Sequence, residues 1–200
     1  MAPRGRPPLP RGVFAFDEPG WEPPGRVLLD TNVVVGALLP DQPEHQACLA
    51  VLERLGTAGT SVTFSRHLEI ELWQVIFNLA LRERHPRKEL RHVRYDKRVR
   101  PRAARLLGQT RRAWEQDLRD SLSWTRIEIH EIAEEVPGLM QDFGLESYDA
   151  VHAATLLDSG ITDFLTRDGG FAVLSPAIAT LHTTRARVTN TRARRRRAGY

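Results

Sequence analysis

The hydrophobic residues of this chain alternate between short apolar runs and longer stretches with helical spacing. Short, mostly apolar segments predict strands at 26–29, 61–64, 163–166 and 177–181, and alternation of apolar and polar residues predicts another at 124–129. Apolar residues spaced three and four apart predict helices ending at Leu39 and covering 44–55, 65–83, 101–118, 132–143 and 147–157. Because strands alternate with helices, the sequence predicts an α/β protein with a mostly parallel central sheet of about four to five strands flanked by helices.

Residues at the predicted helix ends support these boundaries. Pro40 follows the first helix, and Ser65 is suited to cap the N-terminus of the helix over 65–83. Pro101 fits the first turn of another helix, and Gly160 lies just past the end of the last one.

The chain divides into three segments by composition. Residues 1–25 contain seven prolines and four glycines, which is typical of a disordered or loosely docked leader, with Phe14, Phe16 and Trp21 as docking residues. Residues 26–182 carry the alternating pattern and suit a single domain. Residues 183–200 form an arginine-rich tail.

Bulk properties exclude several classes of protein. A single cysteine, Cys48, excludes an internal disulfide framework, and its position in an amphipathic helix suggests a small core residue. No apolar run approaches the length of a membrane span, and we see no signal peptide. We therefore expect a cytoplasmic protein without a membrane partner.

The net charge of +4 conceals a strong partition of charge along the chain. Residues 82–112 form a basic insert with thirteen Lys/Arg and three Asp/Glu, and residues 185–197 contain seven arginines and no acid. By contrast, 27–81 and 113–182 together hold five basic and nineteen acidic residues. This arrangement is typical of a protein that holds a polyanion near bound cations. Solvated surface faces are the alternative explanation for the basic segments.

Three aspartates are placed where they could converge. Asp30 directly follows the apolar run Val27–Leu29. Asp168 follows the predicted strand at 163–166, with one residue, Arg167, between them. Parallel strands end at the same edge of a sheet, where open α/β sheets gather their ligands. Asp149 lies in the first turn of the helix over 147–157. Capping and a favourable helix dipole are the simpler explanations for all three acids.

The helix over 65–83 offers two candidates for a fourth carboxylate. Glu69 and Glu71 are two residues apart, so their side chains point about 200° away from each other and only one can face the sheet edge. Glu71 shares a face with Leu68 and Leu72, so we expect Glu71 at the edge and keep Glu69 as the alternative. A fifth acid, Asp163, is expected at the surface.

Clustered carboxylates favour a metal ion. Their mutual repulsion raises their proton affinity until a cation binds. Mg²⁺ and Mn²⁺ prefer oxygen ligands and commonly bind through carboxylates together with substrate phosphates. Such ions can activate water and polarise a phosphodiester. No Ser/His/Asp or Cys/His set offers a competing catalytic arrangement.

Four pieces of the chain together resemble a known family: Leu29–Asn32, Ser65 with Glu71–Leu72, Tyr148–Ala154 and Leu165–Asp168. In order and approximate spacing, they resemble the PIN-domain ribonucleases over 26–182. Within that family they resemble the VapC-type toxins of bacterial toxin–antitoxin pairs.

The resemblance implies a single PIN-like domain that cleaves RNA with Mg²⁺ or Mn²⁺. It implies an acidic catalytic and metal-binding set of Asp30, Glu71, Asp149 and Asp168. We expect the metal among Asp30, Asp149 and Asp168, with Glu71 contributing directly or through water. The resemblance also implies supporting roles for Thr31, Asn32 and Thr166. The expected partners are RNA, a second copy of the chain in a homodimer, and a small antitoxin whose tail covers the site.

Three other functions remain open at this stage. An RNA-processing nuclease without an antitoxin and a non-catalytic RNA-binding module would both keep the same fold. A haloacid-dehalogenase-like phosphatase also begins with an aspartate after a strand, but it would need a second aspartate where Asn32 stands.

Other polar and aromatic residues have simpler interpretations. His152, one turn beyond Asp149, is interpreted as a packed or hydrogen-bonded histidine, since a hard-ion site prefers oxygen. Trp73, Trp114 and Trp124 are interpreted as core or dimer contacts. Arginines of the basic insert are predicted to contact RNA phosphates, or alternatively to hold an acidic partner: Arg98, Arg100, Arg102, Arg105, Arg111 and Arg112.

Overall fold

A computed structural model describes residues 8–84, 92, 97–128 and 132–188 of the chain. Its six strands are β1 (Val13–Ala15), β2 (Arg26–Leu29), β3 (Ser61–Ser65), β4 (Ser123–Ile127), β5 (Asp163–Leu165) and β6 (Thr180–Thr183). They form one sheet in the order β1-β6-β5-β2-β3-β4, and every pair of neighbours is parallel. The predicted α/β class is confirmed, with six strands where four to five were expected.

Helices connect these strands close to the predicted positions. They are α1 (Thr31–Leu38), α2 (His45–Thr57), α3 (Arg66–Arg84), α4 (Arg100–Ser121), α5 (Val136–Phe143) and α6 (Ser147–Ser159). Short 3-10 helices lie at Ile132–Glu134 and Gly169–Leu174. Ser65 caps α3 as expected, because its Oγ accepts a hydrogen bond of 3.2 Å from the Leu68 amide.

Both faces of the sheet are covered, which explains why the three buried residues of β2, Val27–Leu29, are all apolar. Val27 and Leu29 pack into a core formed with α1, α2, α3 and α4. Leu28 points to the opposite face, into a second core formed with α5, α6 and the Gly169–Leu174 segment. Strands buried on both sides are typical of parallel α/β sheets.

The segment before residue 26 is more closely integrated than its composition suggests. β1 pairs in parallel with β6, and Phe16 and Trp21 are buried in the first core. Arg54 of α2 donates hydrogen bonds to the carbonyls of Phe16 and Trp21, and its guanidinium lies 4.7 Å from the Trp21 ring centroid. Described residues 8–25 are therefore docked on the domain. Residues 1–7 and 189–200, with most of the tail, lie outside the described residues.

A chain of three side chains, here called the leader anchor, fixes this docking. Trp21 Nε1 donates to His182 Nδ1 over 2.8 Å, so the His182 proton is on Nε2, which donates to Asp163 Oδ1 over 2.8 Å. Burial alone would raise the pKa of Asp163, but hydrogen bonds from His182 and Thr162 outweigh it and lower the pKa. Asp163 begins β5, so it lies at the end of that strand away from Asp168.

The largest differences from the predicted strand boundaries are in the last strand and in β4, while β3 and β5 differ from their predictions by a single residue. The last strand begins at Thr180 instead of 177, because the amides of Ile178 and Ala179 both donate to the Leu174 carbonyl and form a turn. β4 ends at Ile127, and the predicted end at residue 129 lies outside the described residues.

Several predicted core residues are found in the core. The rings of Trp114 and Trp124 pack on the ring of Phe64, with centroids 5.5 and 5.0 Å from it. Cys48 is also in the core, and its burial raises the pKa of its thiol to about 11. Trp73 lies beneath the guanidinium of Arg111 at 4.8 Å.

In the described part of the chain, no helix is both long and apolar enough to cross a membrane.

Candidate active site

The two strands that precede Asp30 and Asp168 are neighbours in the sheet. β2 pairs with β3 on one side and with β5 on the other, so the strand order reverses between β2 and β5. The Asp30 amide donates to the Leu165 carbonyl over 3.0 Å, which brings the two strand ends together. In open α/β sheets, ligands bind in the crevice at such a reversal point.

A cleft of about 800 Å³ opens at this position. All four predicted carboxylates line it, together with Thr31 and Asn32: Asp30, Glu71, Asp149 and Asp168. Thr166 is fully buried beneath them. The structure thus brings together every residue that the sequence predicted for the acidic site.

Asp30 combines a cap with a fixed place at the cleft. Its Oδ1 accepts a hydrogen bond from the Asn32 amide, so it caps α1. Its Oδ2 accepts from Asn32 Nδ2 over 2.6 Å and from the Thr166 hydroxyl. Burial raises the pKa of Asp30, although His152, Thr166 and Asn32 act in the opposite direction. Capping and a site role therefore coexist in this residue.

One hydrogen-bond network joins the residues after β2 to those after β5. The Asp168 amide donates to Thr166 Oγ1 over 2.9 Å, and the Arg167 amide donates to Asn32 Oδ1 over 2.7 Å. Asp168 Oδ1 in turn accepts from the Gly170 amide over 2.7 Å and caps the following 3-10 helix. This network fixes the two strand-end carboxylates relative to each other.

Arg167 is a buried part of this framework that sequence reasoning left without a role. Its guanidinium donates to the Asn32 carbonyl over 3.1 Å and to Glu44 Oε2 over 3.0 Å. Gly36 of α1 makes space for it, because a Cβ at that position would lie 2.8 Å from Arg167 Nη1. No local pattern could indicate this role, since Glu44 is 123 residues away in the sequence.

Glu71, and not Glu69, faces the cleft. Thr31 donates to Glu71 Oε2 over 2.7 Å, and His67 Nε2 lies 3.4 Å from Oε1. Partial burial alone would raise the pKa of Glu71, but the interactions with His152, His67 and Thr31 outweigh it and hold the pKa well below its usual value.

Glu69 is buried elsewhere and serves a structural ion-pair network. Its two carboxylate oxygens lie 3.1 Å from Arg66 Nη1 and 3.4 Å from Arg126 Nη1. This pairing satisfies the Glu69 charge away from the cleft.

Asp149 shows that the carboxylates interact electrostatically. Its side chain is half-buried at the start of α6, and its pKa is raised to about 6. Burial is the main cause, followed by the negative charge of Asp168, with Asp30 and Glu146 adding to it. Perturbed acids that face one another in a cleft are typical of functional sites.

Comparison with known protein families agrees with this geometry. Residues 27–175 match the PIN domain. The chain belongs to the PIN domain family. PIN domains are generally metal-dependent nucleases, and PIN nucleases act on RNA. No individual curated protein matches the chain.

Two histidines extend the acidic cleft of this PIN domain. His152 is buried against the rings of Phe164 and Phe171, as its interpretation as a packed residue suggests. Its Nε2 lies 3.9 Å from Asp30 Oδ1 and 3.8 Å from Glu71 Oε2. Burial opposes protonation of His152, but Glu71 and Asp30 outweigh it and raise its pKa.

The second histidine, His67, was not singled out from the sequence. It lies on α3 one turn before Glu71 and stacks on the exposed ring of Tyr148, with centroids 5.0 Å apart. A lone histidine on a helix carries no periodic signal. Its place beside the acids follows only from the fold, which brings the N-terminal turns of α3 and α6 together although the two helices pack on opposite faces of the sheet.

The arginines of the basic insert lie outside the cleft of the PIN domain. Arg98 precedes α4, the other five lie on it, and none of the six lines the cleft. Arg111 pairs with Glu115 over 2.7 Å and covers Trp73, so it has a structural role. The remaining five are exposed: Arg98, Arg100, Arg102, Arg105 and Arg112.

Proposed function

We propose that this PIN protein is a metal-dependent endoribonuclease that hydrolyses RNA phosphodiester bonds. The observation that supports it most strongly is the meeting of Asp30, Glu71, Asp149 and Asp168 at one cleft. The raised pKa of Asp149, to about 6, supports the same conclusion, because it results first from burial and then from the negative charge of Asp168, which a bound cation would neutralise.

The donor set fits a hard divalent ion. In this proposal Asp30, Asp149 and Asp168 hold Mg²⁺ or Mn²⁺ through carboxylate oxygens, the ligands that these ions prefer. When bound, such an ion polarises the phosphodiester and makes water an effective nucleophile near neutral pH.

The protein groups around these acids orient them. Asn32 and Thr166 both donate to Asp30 Oδ2, so the carboxylate cannot rotate freely. Thr31 holds Glu71 in the same way, by donating to its Oε2. Positioned side chains of this kind place a reacting group correctly without further reorganisation.

The overall step consumes one water. The water oxygen forms a new bond to phosphorus, and the bond from phosphorus to the leaving sugar oxygen breaks. One water proton ends on that leaving oxygen, so one product ends in a phosphate and the other in a hydroxyl group.

Exposed arginines on and before α4 are proposed to bind the RNA backbone beyond the cleft: Arg98, Arg100, Arg102, Arg105 and Arg112. Neutralising them should weaken RNA binding and flatten its dependence on salt, by about 0.7 in log–log slope for each single-strand phosphate that an arginine no longer neutralises. An unchanged slope would remove this surface from the RNA-binding proposal.

The test of the nuclease proposal is cleavage of a panel of structured and single-stranded RNAs with Mg²⁺, with Mn²⁺ and with a chelator. Asp149→Asn should abolish cleavage. Asp158→Asn is the matched control, because Asp158 is exposed on the same helix α6. If wild-type protein and Asp149→Asn are equally inert on every RNA, the chain is a non-catalytic RNA-binding module instead.

We further propose that the nuclease is the toxin of a cytoplasmic toxin–antitoxin pair, acting as a homodimer. The support is the set of sequence pieces around Asp30, Glu71, Asp149 and Asp168 described above. A small adjacent open reading frame, whose product binds this chain and suppresses its RNA cleavage, is the expected observation. Its absence would favour an RNA-processing nuclease without an antitoxin.

A further inference from the structure

Three side chains on the α3–α6 side of the cleft converge on one point. One ring nitrogen from each of His67 and His152 and one carboxylate oxygen of Glu71 all lie within 4.8 Å of one another. His67 and Glu71 are four residues apart on α3 and so share a face of that helix. His152 reaches them from α6.

One nitrogen of this cluster, Nε2 of His67, is buried without a hydrogen-bond partner among the described residues, and His67 as a residue is only 9% exposed. This atom is directed at Glu71, since 3.4 Å separates it from Oε1. The His152 nitrogen that faces Glu71 is Nε2, 3.8 Å from Oε2, while its second ring nitrogen, Nδ1, is also buried without a partner among the described residues. Buried polar atoms are nearly always paired, so the unpaired His67 Nε2 aimed into this cluster indicates a missing partner.

Ring packing does not account for these nitrogens. The stacking of His67 on Tyr148, and the contacts of His152 with Phe164 and Phe171, explain why the ring carbons are buried. Phenylalanine would make the same contacts without burying polar atoms. The histidines therefore supply something that packing alone does not require.

We propose that His67, Glu71 and His152 form a second cation site, for a divalent transition metal such as Zn²⁺ or Co²⁺. Two imidazoles and one carboxylate are a frequent ligand set for such ions, with metal–ligand distances of about 2.0–2.2 Å. Tetrahedral ligands at that distance are about 3.4 Å apart. Small inward movements of the three side chains would reach this spacing, and Glu71, with 31% of its side chain exposed, makes the site accessible from the cleft.

The ligand chemistry separates this site from the acidic one. Imidazole nitrogens suit zinc and cobalt, whereas Mg²⁺ selects oxygen ligands. The histidine cluster should therefore retain a transition metal in excess Mg²⁺. This proposal shares only Glu71 with the proposed catalytic acids, and it does not depend on nuclease activity, because it concerns metal binding and not cleavage.

The test is titration of the metal-free full chain with Co²⁺ in excess Mg²⁺, followed by calorimetry and by visible absorption of the bound Co²⁺. The diagnostic variant is His67→Phe, which keeps an aromatic ring against Tyr148, and Glu71→Gln is a second variant at a half-exposed position. His92→Phe is the control, because His92 is exposed and outside the cluster. Circular dichroism checks that each variant is folded.

We expect one Co²⁺ per chain in the wild type, with absorption typical of nitrogen ligands. Affinity should fall by about 10-fold or more in His67→Phe and Glu71→Gln and stay unchanged in His92→Phe. Unchanged Co²⁺ binding in both folded cluster variants would overturn the proposal, as would a loss of binding in Asp149→Asn alone. RNA cleavage is scored separately: histidine-dependent Co²⁺ binding without cleavage would contradict the nuclease proposal alone.

Discussion

His182 in the leader anchor and His152 in the cleft are both buried, but their surroundings differ. His182 accepts from Trp21 through one nitrogen and donates to Asp163 through the other, each over 2.8 Å. His152 has no hydrogen-bond partner for Nδ1 among the described residues, and its Nε2 lies 3.8–3.9 Å from the carboxylates of Glu71 and Asp30.

The difference indicates what each region is for. In the leader anchor one histidine meets one carboxylate, every ring nitrogen is used, and the result is a stable attachment. In the cleft, several carboxylates repel one another and nitrogens remain unpaired, which costs stability in the absence of a ligand. We therefore interpret the first region as an attachment that stabilises the fold and the second as a cleft suited to a ligand. Substitutions should therefore affect them in different ways.

The largest expected effect is on cleavage, from Asp30→Asn. Asparagine is also a good N-cap, so α1 should form normally, while RNA cleavage with Mg²⁺ should fall on the order of 10²- to 10³-fold. Initial rates on a cleaved RNA measure the loss. The control is Asp163→Asn in the leader anchor, which should leave cleavage by folded protein unchanged. Equal losses from both substitutions would contradict the division of roles.

The next effect is on stability, from Trp21→Ala. Removing this buried ring and its hydrogen bond to His182 should lower the free energy of unfolding by about 3 kcal/mol, measured by urea denaturation. Trp21→Phe keeps most of the packing and should cost about 1 kcal/mol. Cleavage by the folded fraction should not change. A wild-type unfolding curve for Trp21→Ala would show that the leader contributes nothing to the fold.

A smaller effect is expected from the Asp163 carboxylate, with a defined dependence on pH. Its pKa is lowered in the folded protein, so its contribution to stability is present above its ordinary pKa of 3.8 and is lost as the pH falls through the folded value. Asp163→Asn should lower the unfolding free energy by about 1–2 kcal/mol at pH 7. This difference should shrink below about pH 4. A difference that stays constant with pH would rule out the ionic origin.

The smallest effect, of opposite sign, is expected from Asp149→Asn in metal-free protein. The pKa of Asp149 in the folded protein is raised to about 6. Its favourable contribution to the free energy of unfolding is therefore fully present below pH 3.8 and is lost as the pH rises through 6. At pH 7 Asp149→Asn should therefore stabilise the metal-free protein by about 1 kcal/mol, reduced from the full pKa shift because the side chain is half-exposed. Denaturation at pH 7 and pH 4 measures this gain, which should disappear at pH 4.

Residues whose place at the cleft follows from their own element could be predicted from the sequence. Asp30 was recognisable because it follows a short apolar strand, and Glu71 because helical phase separates it from Glu69. Asp149 was recognisable from its place at the start of an alanine-rich helix. Of these three, only Glu71 required the helical period to decide which way its side chain points.

Residues whose role depends on distant partners could not be predicted. β1 has three residues and lies in a proline-rich segment, so only its pairing with β6 makes it a strand. His67 meets His152 because the fold brings the N-terminal turns of α3 and α6, which are far apart in sequence, close together. Neither contact leaves a periodic signal in the chain.

The Arg167 side chain beside Gly36 links the positions of the two strand-end aspartates, Asp30 and Asp168. Arg167 contacts the Asn32 carbonyl and immediately precedes Asp168, while Asn32 holds Asp30. These contacts tie α1 to the loop after β5. A substitution that shifts α1 should therefore displace Asp30 and Asp168 together, so that the distance between the two carboxylates is preserved.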